Sequence, residues 1–172
     1  VSEMGLRADG AVLLDLVDCT PEGPSRTLEP GSLAVVTGGA RGVTAACVLA
    51  LAARVPLHVL LLGRSDAPTD EPPWLADAHD EAAIKRALLA HGFEGRRPSP
   101  RELGRVCQTV QAEREIRATL AALADAGCTA AYRSVDARDP AAVAQAVDEA
   151  RALAGPVRVL VHGAGVLRDK RI

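Results

Sequence analysis

Apolar residues along this chain fall into short continuous runs, separated by stretches with helical spacing. Leu33-Ala34-Val35-Val36-Thr37 is a β-rich run closed by Gly38-Gly39. Thr44 to Arg54 sets Val48, Leu49 and Leu51 among alanines of high helix propensity, and predicts a helix that Pro56 stops. Leu57 to Leu62 is apolar at nearly every position, the pattern of a parallel strand buried on both faces. Ala130 to Val135 predicts a third strand, closing at Asp136. Asp139 as N-cap and Pro140 at the first helical position then open a helix to about Leu153, halted by Gly155-Pro156. Val157 to Val161 predicts a fourth strand, which leads into His162-Gly163-Ala164-Gly165. Strand and helix alternate, so the expected class is α/β: a doubly wound parallel sheet, truncated after its fourth strand, in the order third, second, first, fourth.

Two regions depart from that rhythm. Residues 66 to 129 are far more than one crossover helix requires. Asp66 to Pro73 reads as a proline-rich loop. Trp74 to His91 has helical character, with Leu75, Ala82, Ile84, Leu88 and Leu89 as its buried side. Ser99-Pro100-Arg101-Glu102 forms a capping box, Ser at N-cap and Glu at N3, and predicts a long helix to about Ala126 with Gly127 as its C′ residue. A helical insertion of about residues 66–116 is therefore expected between the second and third strands. Residues 1–30 read as a linker or the end of a preceding subdomain. The apolar run Ala11 to Val17 has no obvious neighbour to pair with, and prolines and a glycine follow it. The main domain is expected over residues 31–172.

Composition narrows the class further. Of 172 residues, 48% are hydrophobic and 24% charged, which suits a globular core and rules out a disordered or low-complexity chain. A net charge of −2 provides no basic field for nucleic acid or an anionic membrane surface. No apolar stretch is long enough to span a bilayer, and Val1-Ser2-Glu3-Met4 carries no signal segment. The expectation is a soluble, cytoplasmic protein. Cys19, Cys47, Cys107 and Cys128 are far apart and without ligand spacing, as free thiols in a reduced compartment would be.

The chemistry gathers at strand ends. Thr37-Gly38-Gly39-Ala40-Arg41-Gly42-Val43 lies between a buried strand and an Ala-rich helix. Glycines there permit a tight turn and let backbone N–H groups approach a pyrophosphate at the helix N-terminus. Lone glycines could equally make a plain connector; the strand before and the helix after favour the nucleotide. Gly63-Arg64-Ser65 closes the second strand, where an acid would hold the ribose hydroxyls of NAD. An arginine instead suits a 2′-phosphate, which guanidinium pairs in a fork.

The T-G-x-x-x-G spacing resembles the short-chain dehydrogenase/reductase family, whose fold is a Rossmann-type sheet. Asp136-Ala137-Arg138-Asp139 is similar to that family's D-x-x-D stretch, whose first Asp accepts from the adenine amino group. His162-Gly163-Ala164-Gly165 is similar to its N-A-G loop beside the nicotinamide ribose. The run from His162 to Lys170, the Thr37–Thr44 turn and the insert after Gly63-Arg64-Ser65 together resemble one branch. That branch is the ketoreductase domain of polyunsaturated fatty acid synthases and iterative polyketide synthases. Thr44 departs from the pattern, standing where many relatives have a third glycine and leaving slightly less room for phosphates.

The resemblance implies NADPH as cofactor. The residues it assigns to binding are Gly38, Gly39, Ala40, Arg41, Gly42, Val43, Gly63, Arg64, Ser65, Asp136, Ala137, Gly163, Ala164 and Gly165. It also implies reduction of a carrier-bound 3-ketoacyl thioester to the 3-hydroxyacyl product, with an acyl carrier protein and other synthase domains as partners. The family's catalytic Ser, Tyr and Lys lie beyond the fourth strand. Tyr132, the sole tyrosine, sits inside the third strand and has no lysine four residues later; Lys170 comes too early. No catalytic residue and no metal site is expected here, only the cofactor-binding portion. A non-catalytic scaffold module and a free-standing short-chain reductase are the alternatives, and the insert argues against the second.

Overall fold

The computed structural model describes residues 4–13 and 27–165. Met4–Arg7 (β1) and Gly10–Leu13 (β2) pair antiparallel, Arg7 opposite Gly10. The start of the Ala11–Val17 run thus has a local partner after all, which the mixed composition of Met4–Arg7 concealed. Residues 14–17, the Pro21–Ser25 turn and the segment from Val166 through Lys170 to Ile172 lie outside the described residues.

Leu33–Thr37 (β3), His58–Gly63 (β4), Thr129–Ser134 (β5) and Val157–His162 (β6) form one parallel sheet in the order β5-β4-β3-β6. This is the expected α/β class and strand order. Val35 stands beside Leu60 on one side and Leu160 on the other. β3 is buried throughout and β4 at its four inner residues, as central strands covered on both faces must be. The edge strand β6 alternates half-buried and exposed residues. Two layers of helix cover the sheet. Gly42–Ala52 (α1) and the C-terminal half of Pro100–Asp125 (α3) bury Val48, Ala52, Ile116 and Leu123 against Val36, Val59 and Leu61. Pro140–Ala154 (α4) covers the opposite face through Ala146, Val143 and Val147 against Val35, Leu60 and Leu62.

Helix ends follow their chemistry. Asp139 caps α4 by accepting from the N–H groups of Ala141 and Ala142, and Gly127, at φ +78, turns the chain out of α3. Ser99 accepts from the N–H of Glu102, but the Glu102 carboxylate pairs with Arg96 instead of completing the box. The expected helix from Trp74 to His91 is broken in two. Pro73–Leu75 is a single 3₁₀ turn, and Glu81–His91 (α2) starts afresh because Asp80 caps it through the N–H of Ala83. Leu75, Ile84 and Leu88 are buried as expected; Ala82 and Leu89 face solvent. With Phe93 and Cys107, the three buried residues form a second core, into which the N-terminal half of α3 packs. One helix of 26 residues therefore serves the insertion with one half and the sheet with the other. Cys47, Cys107 and Cys128 are free thiols, and Cys19 lies outside the described residues.

Candidate functional site

The C-terminal ends of the four parallel strands meet along one edge of the sheet, where open α/β sheets bind ligands. The turn after β3 enters α1 at Gly42, two residues sooner than its apolar spacing suggests, and Gly42 takes φ +61, a left-handed value that suits glycine. Gly38, at φ +69, also needs the left-handed region. A Cβ on Gly38 would stand 2.9 Å from the backbone of Gly163 and Ala164, so the first turn and the loop after β6 touch main chain to main chain. The Gly163 N–H donates to the Thr37 carbonyl (2.9 Å), and the Thr37 hydroxyl shares a 2.7 Å hydrogen bond with His162 Nδ1. Thr44, in place of the third glycine, lies against Gly163 where a Cβ would otherwise sit.

Helix α3 braces the turn from behind. Its buried Thr119 hydroxyl donates to the Ala40 carbonyl (2.9 Å), and Glu115, one turn earlier, stands 3.8 Å from the Arg41 guanidinium. The N-terminus of α1 differs from those of α2, α3 and α4. Asp80, Ser99 and Asp139 cap those three, whereas Arg41 gives α1 no side-chain cap. Gly42 faces open space, with nothing within 4 Å of a Cβ built on it, and the neighbouring Val43 side chain is 82% exposed. Uncapped N–H groups beside an open glycine are what an anionic phosphate requires.

The second turn, Gly63-Arg64-Ser65, is pinned from β5. The Val135 N–H donates to the Gly63 carbonyl (2.8 Å), and the Tyr132 hydroxyl donates to the Ser65 carbonyl (2.7 Å). Tyr132 is 7% exposed, and burial pushes its phenol pKa up. That suits a donor held neutral. Arg64 between the two pinned carbonyls is exposed and forms no ion pair among the described residues. Asp136 lies one strand over, its carboxyl held far below the usual range first by hydrogen bonds from Arg138 and also by the charge of Arg64.

The assigned residues thus gather into three loops on one edge. Gly38, Gly39, Ala40, Arg41, Gly42 and Val43 form the first, with Gly163, Ala164 and Gly165 against it. Gly63, Arg64 and Ser65 form the second, and Asp136 and Ala137 the third. Thr119, Glu115 and the role of Tyr132 escape sequence reading. The bonds of Thr119 and Tyr132 cross 79 and 67 residues and leave no local pattern.

Comparison with known proteins bears on family and fold. A family model described as KR domain matches residues 32–172. One of the subunits of the polyunsaturated fatty acid synthase of Thraustochytrium sp. is 36% identical over 181 residues, a match that spans 100% of this chain and 6% of that protein. A reducing polyketide synthase of Cochliobolus heterostrophus is 29% identical over 88% of the chain, which spans 4% of that protein. Among solved structures, an N-terminal ketoreductase from the macrolactin assembly line superposes with a TM-score of 0.55 at 17% identity, over 93% of this chain and 22% of its own. Carveol dehydrogenase from Mycobacterium avium, in complex with NAD, superposes with a TM-score of 0.51 at 19% identity, over 83% and 38%. Both structural likenesses speak to the fold alone. Taken with the T-G-G-x-x-G turn and the sheet order, the family match shows that this chain belongs to the KR, or ketoreductase, domain family, with a polyunsaturated fatty acid synthase and a reducing polyketide synthase among its relatives.

Proposed function

We propose that the chain is the NADPH-binding portion of a β-ketoacyl reductase, whose full protein reduces a carrier-bound 3-ketoacyl thioester to a 3-hydroxyacyl thioester. The observation that carries this reading is the uncapped N-terminus of α1 behind the open Gly42. Its N–H groups, with the turn from Gly38 to Val43, would hold the pyrophosphate. Arg64, exposed between two pinned carbonyls, would pair the 2′-phosphate, with Ser65 beside it. Asp136 and Ala137 would border the adenine, and Gly163, Ala164 and Gly165 the nicotinamide ribose. Bound there, NADPH supplies the hydride for the carbonyl carbon.

In this reading the described residues bind and orient the cofactor, and the reduction also needs a proton. Tyr132 cannot give it, because its hydroxyl is buried and spent on Ser65. Proposed partners are an acyl carrier protein bearing the substrate and the neighbouring domains of the synthase. The test is turnover by the full protein, following NADPH absorbance against a 3-ketoacyl thioester. Consumption of one NADPH per hydroxyacyl product is expected. Tight nucleotide binding without consumption would replace this reading with that of a non-catalytic module.

A further inference from the structure

We infer that Tyr132 is a positioning residue for cofactor choice: by holding the Ser65 carbonyl it fixes the backbone that aims Arg64, and so sets the preference for a 2′-phosphorylated nucleotide. The inference rests on the NADPH reading above and goes beyond it to a residue that touches no cofactor. Arg64 forms no ion pair among the described residues, although its charge acts on Asp136, so the main chain of the turn sets where its side chain starts from. That main chain is anchored on both sides, through Val135, just after β5, to the Gly63 carbonyl and through Tyr132 of β5 to the Ser65 carbonyl.

Gly63 completes the device. A Cβ at Gly63 would come within 2.7 Å of the Tyr132 hydroxyl oxygen and 3.1 Å of its ring, so the glycine leaves room for the phenol to cross over the turn. The tyrosine has little freedom to yield. It is buried in the sheet core, in register beside Leu61, with its hydroxyl committed. Placing any side chain at Gly63 must therefore push the hydroxyl off Ser65. Gly63 and Tyr132 act as one lock on the turn, and changing either releases Arg64.

The experiment measures affinity of the full protein for 2′,5′-ADP and for 5′-ADP by calorimetry, in the unsubstituted form, Tyr132→Phe, Gly63→Ala and the double variant. Phenylalanine keeps the buried ring and loses one neutral hydrogen bond, so the preference for 2′,5′-ADP should fall by about fivefold, with 5′-ADP affinity little changed. Gly63→Ala should lower the ratio similarly, and the double variant should lose much less than the product of the two. Thermal melting of each variant separates folding from binding: general damage would weaken both ligands together and leave the ratio intact. An unaltered ratio in Tyr132→Phe, or independent effects in the double variant, overturns the inference while the cofactor reading stands. No preference in the unsubstituted protein overturns both.

Discussion

Gly42 concentrates two requirements in one residue. Its φ of +61 is a conformation that side chains rarely adopt, and the space in front of it is open. A Cβ there would have no protein atom within 4 Å, yet valine would strain the backbone by about 1–3 kcal/mol and stand in the path of an anion approaching the helix. Gly42→Val should abolish NADPH binding by calorimetry while the far-ultraviolet circular dichroism stays nearly unchanged. Unchanged affinity would mean that the turn only connects strand to helix. The residues flanking this position were legible in the sequence, because a turn between strand and helix has a short-range signature. Thr119 and Tyr132 were not: each fastens a loop through one bond to a carbonyl, and a carbonyl belongs to every residue.

At the level of elements, the sheet strands and capped helices were legible and the insertion only partly so. Continuous apolar runs bounded by glycine or proline give β3 and β4, and Asp139-Pro140 gives the start of α4. The break between residues 75 and 81 was hidden because alanine and leucine suit a helix on both sides of it. It is enforced by an Asp80 cap and by a clamp far along the chain. Arg114, from the middle of α3, donates two hydrogen bonds to the Glu71 carboxylate (both 2.7 Å) and others to the carbonyls of Leu75 and Ala78. Arg117 adds a further bond to Glu71 (3.0 Å). Hydrogen bonding from Arg114 holds the Glu71 carboxyl below its ordinary pKa, with the charges of Arg114 and Arg117 adding to it, against partial burial. A carboxylate depressed in the folded state contributes stability that is complete above its unfolded pKa and is lost as pH falls through the folded value. Denaturant unfolding should therefore show a stability advantage over Glu71→Gln at neutral pH that shrinks once the solution is more acidic than the ordinary glutamate pKa. A gap that stays constant through that range would remove the charge from the explanation.

Across the whole molecule, the parallel order β5-β4-β3-β6 brings every assigned loop to one edge of the sheet, although they are spread from Gly38 to Gly165. The same topology leaves apolar surface beside the β6 edge, where Leu160 is 69% exposed, and at the end of α4, where Leu153 is 89% exposed. Among the described residues no helix is long and apolar enough to cross a membrane. The assigned loops at this edge offer backbone donors, the open Gly42 at the start of α1 and the exposed Arg64 after β4. In the proposed function Arg64 would separate a 2′-phosphorylated nucleotide from its unphosphorylated counterpart, so it carries the central claim. A charge-assisted phosphate contact contributes about 1.5–3 kcal/mol, and aspartate at that position would add repulsion to its loss. The decisive measurement is the pair of dissociation constants for NADPH and NADH in the unsubstituted full protein and in Arg64→Asp. Arg64→Asp should weaken NADPH by about tenfold or more and leave NADH nearly unchanged, whereas equal weakening of both, or of neither, would contradict the assignment.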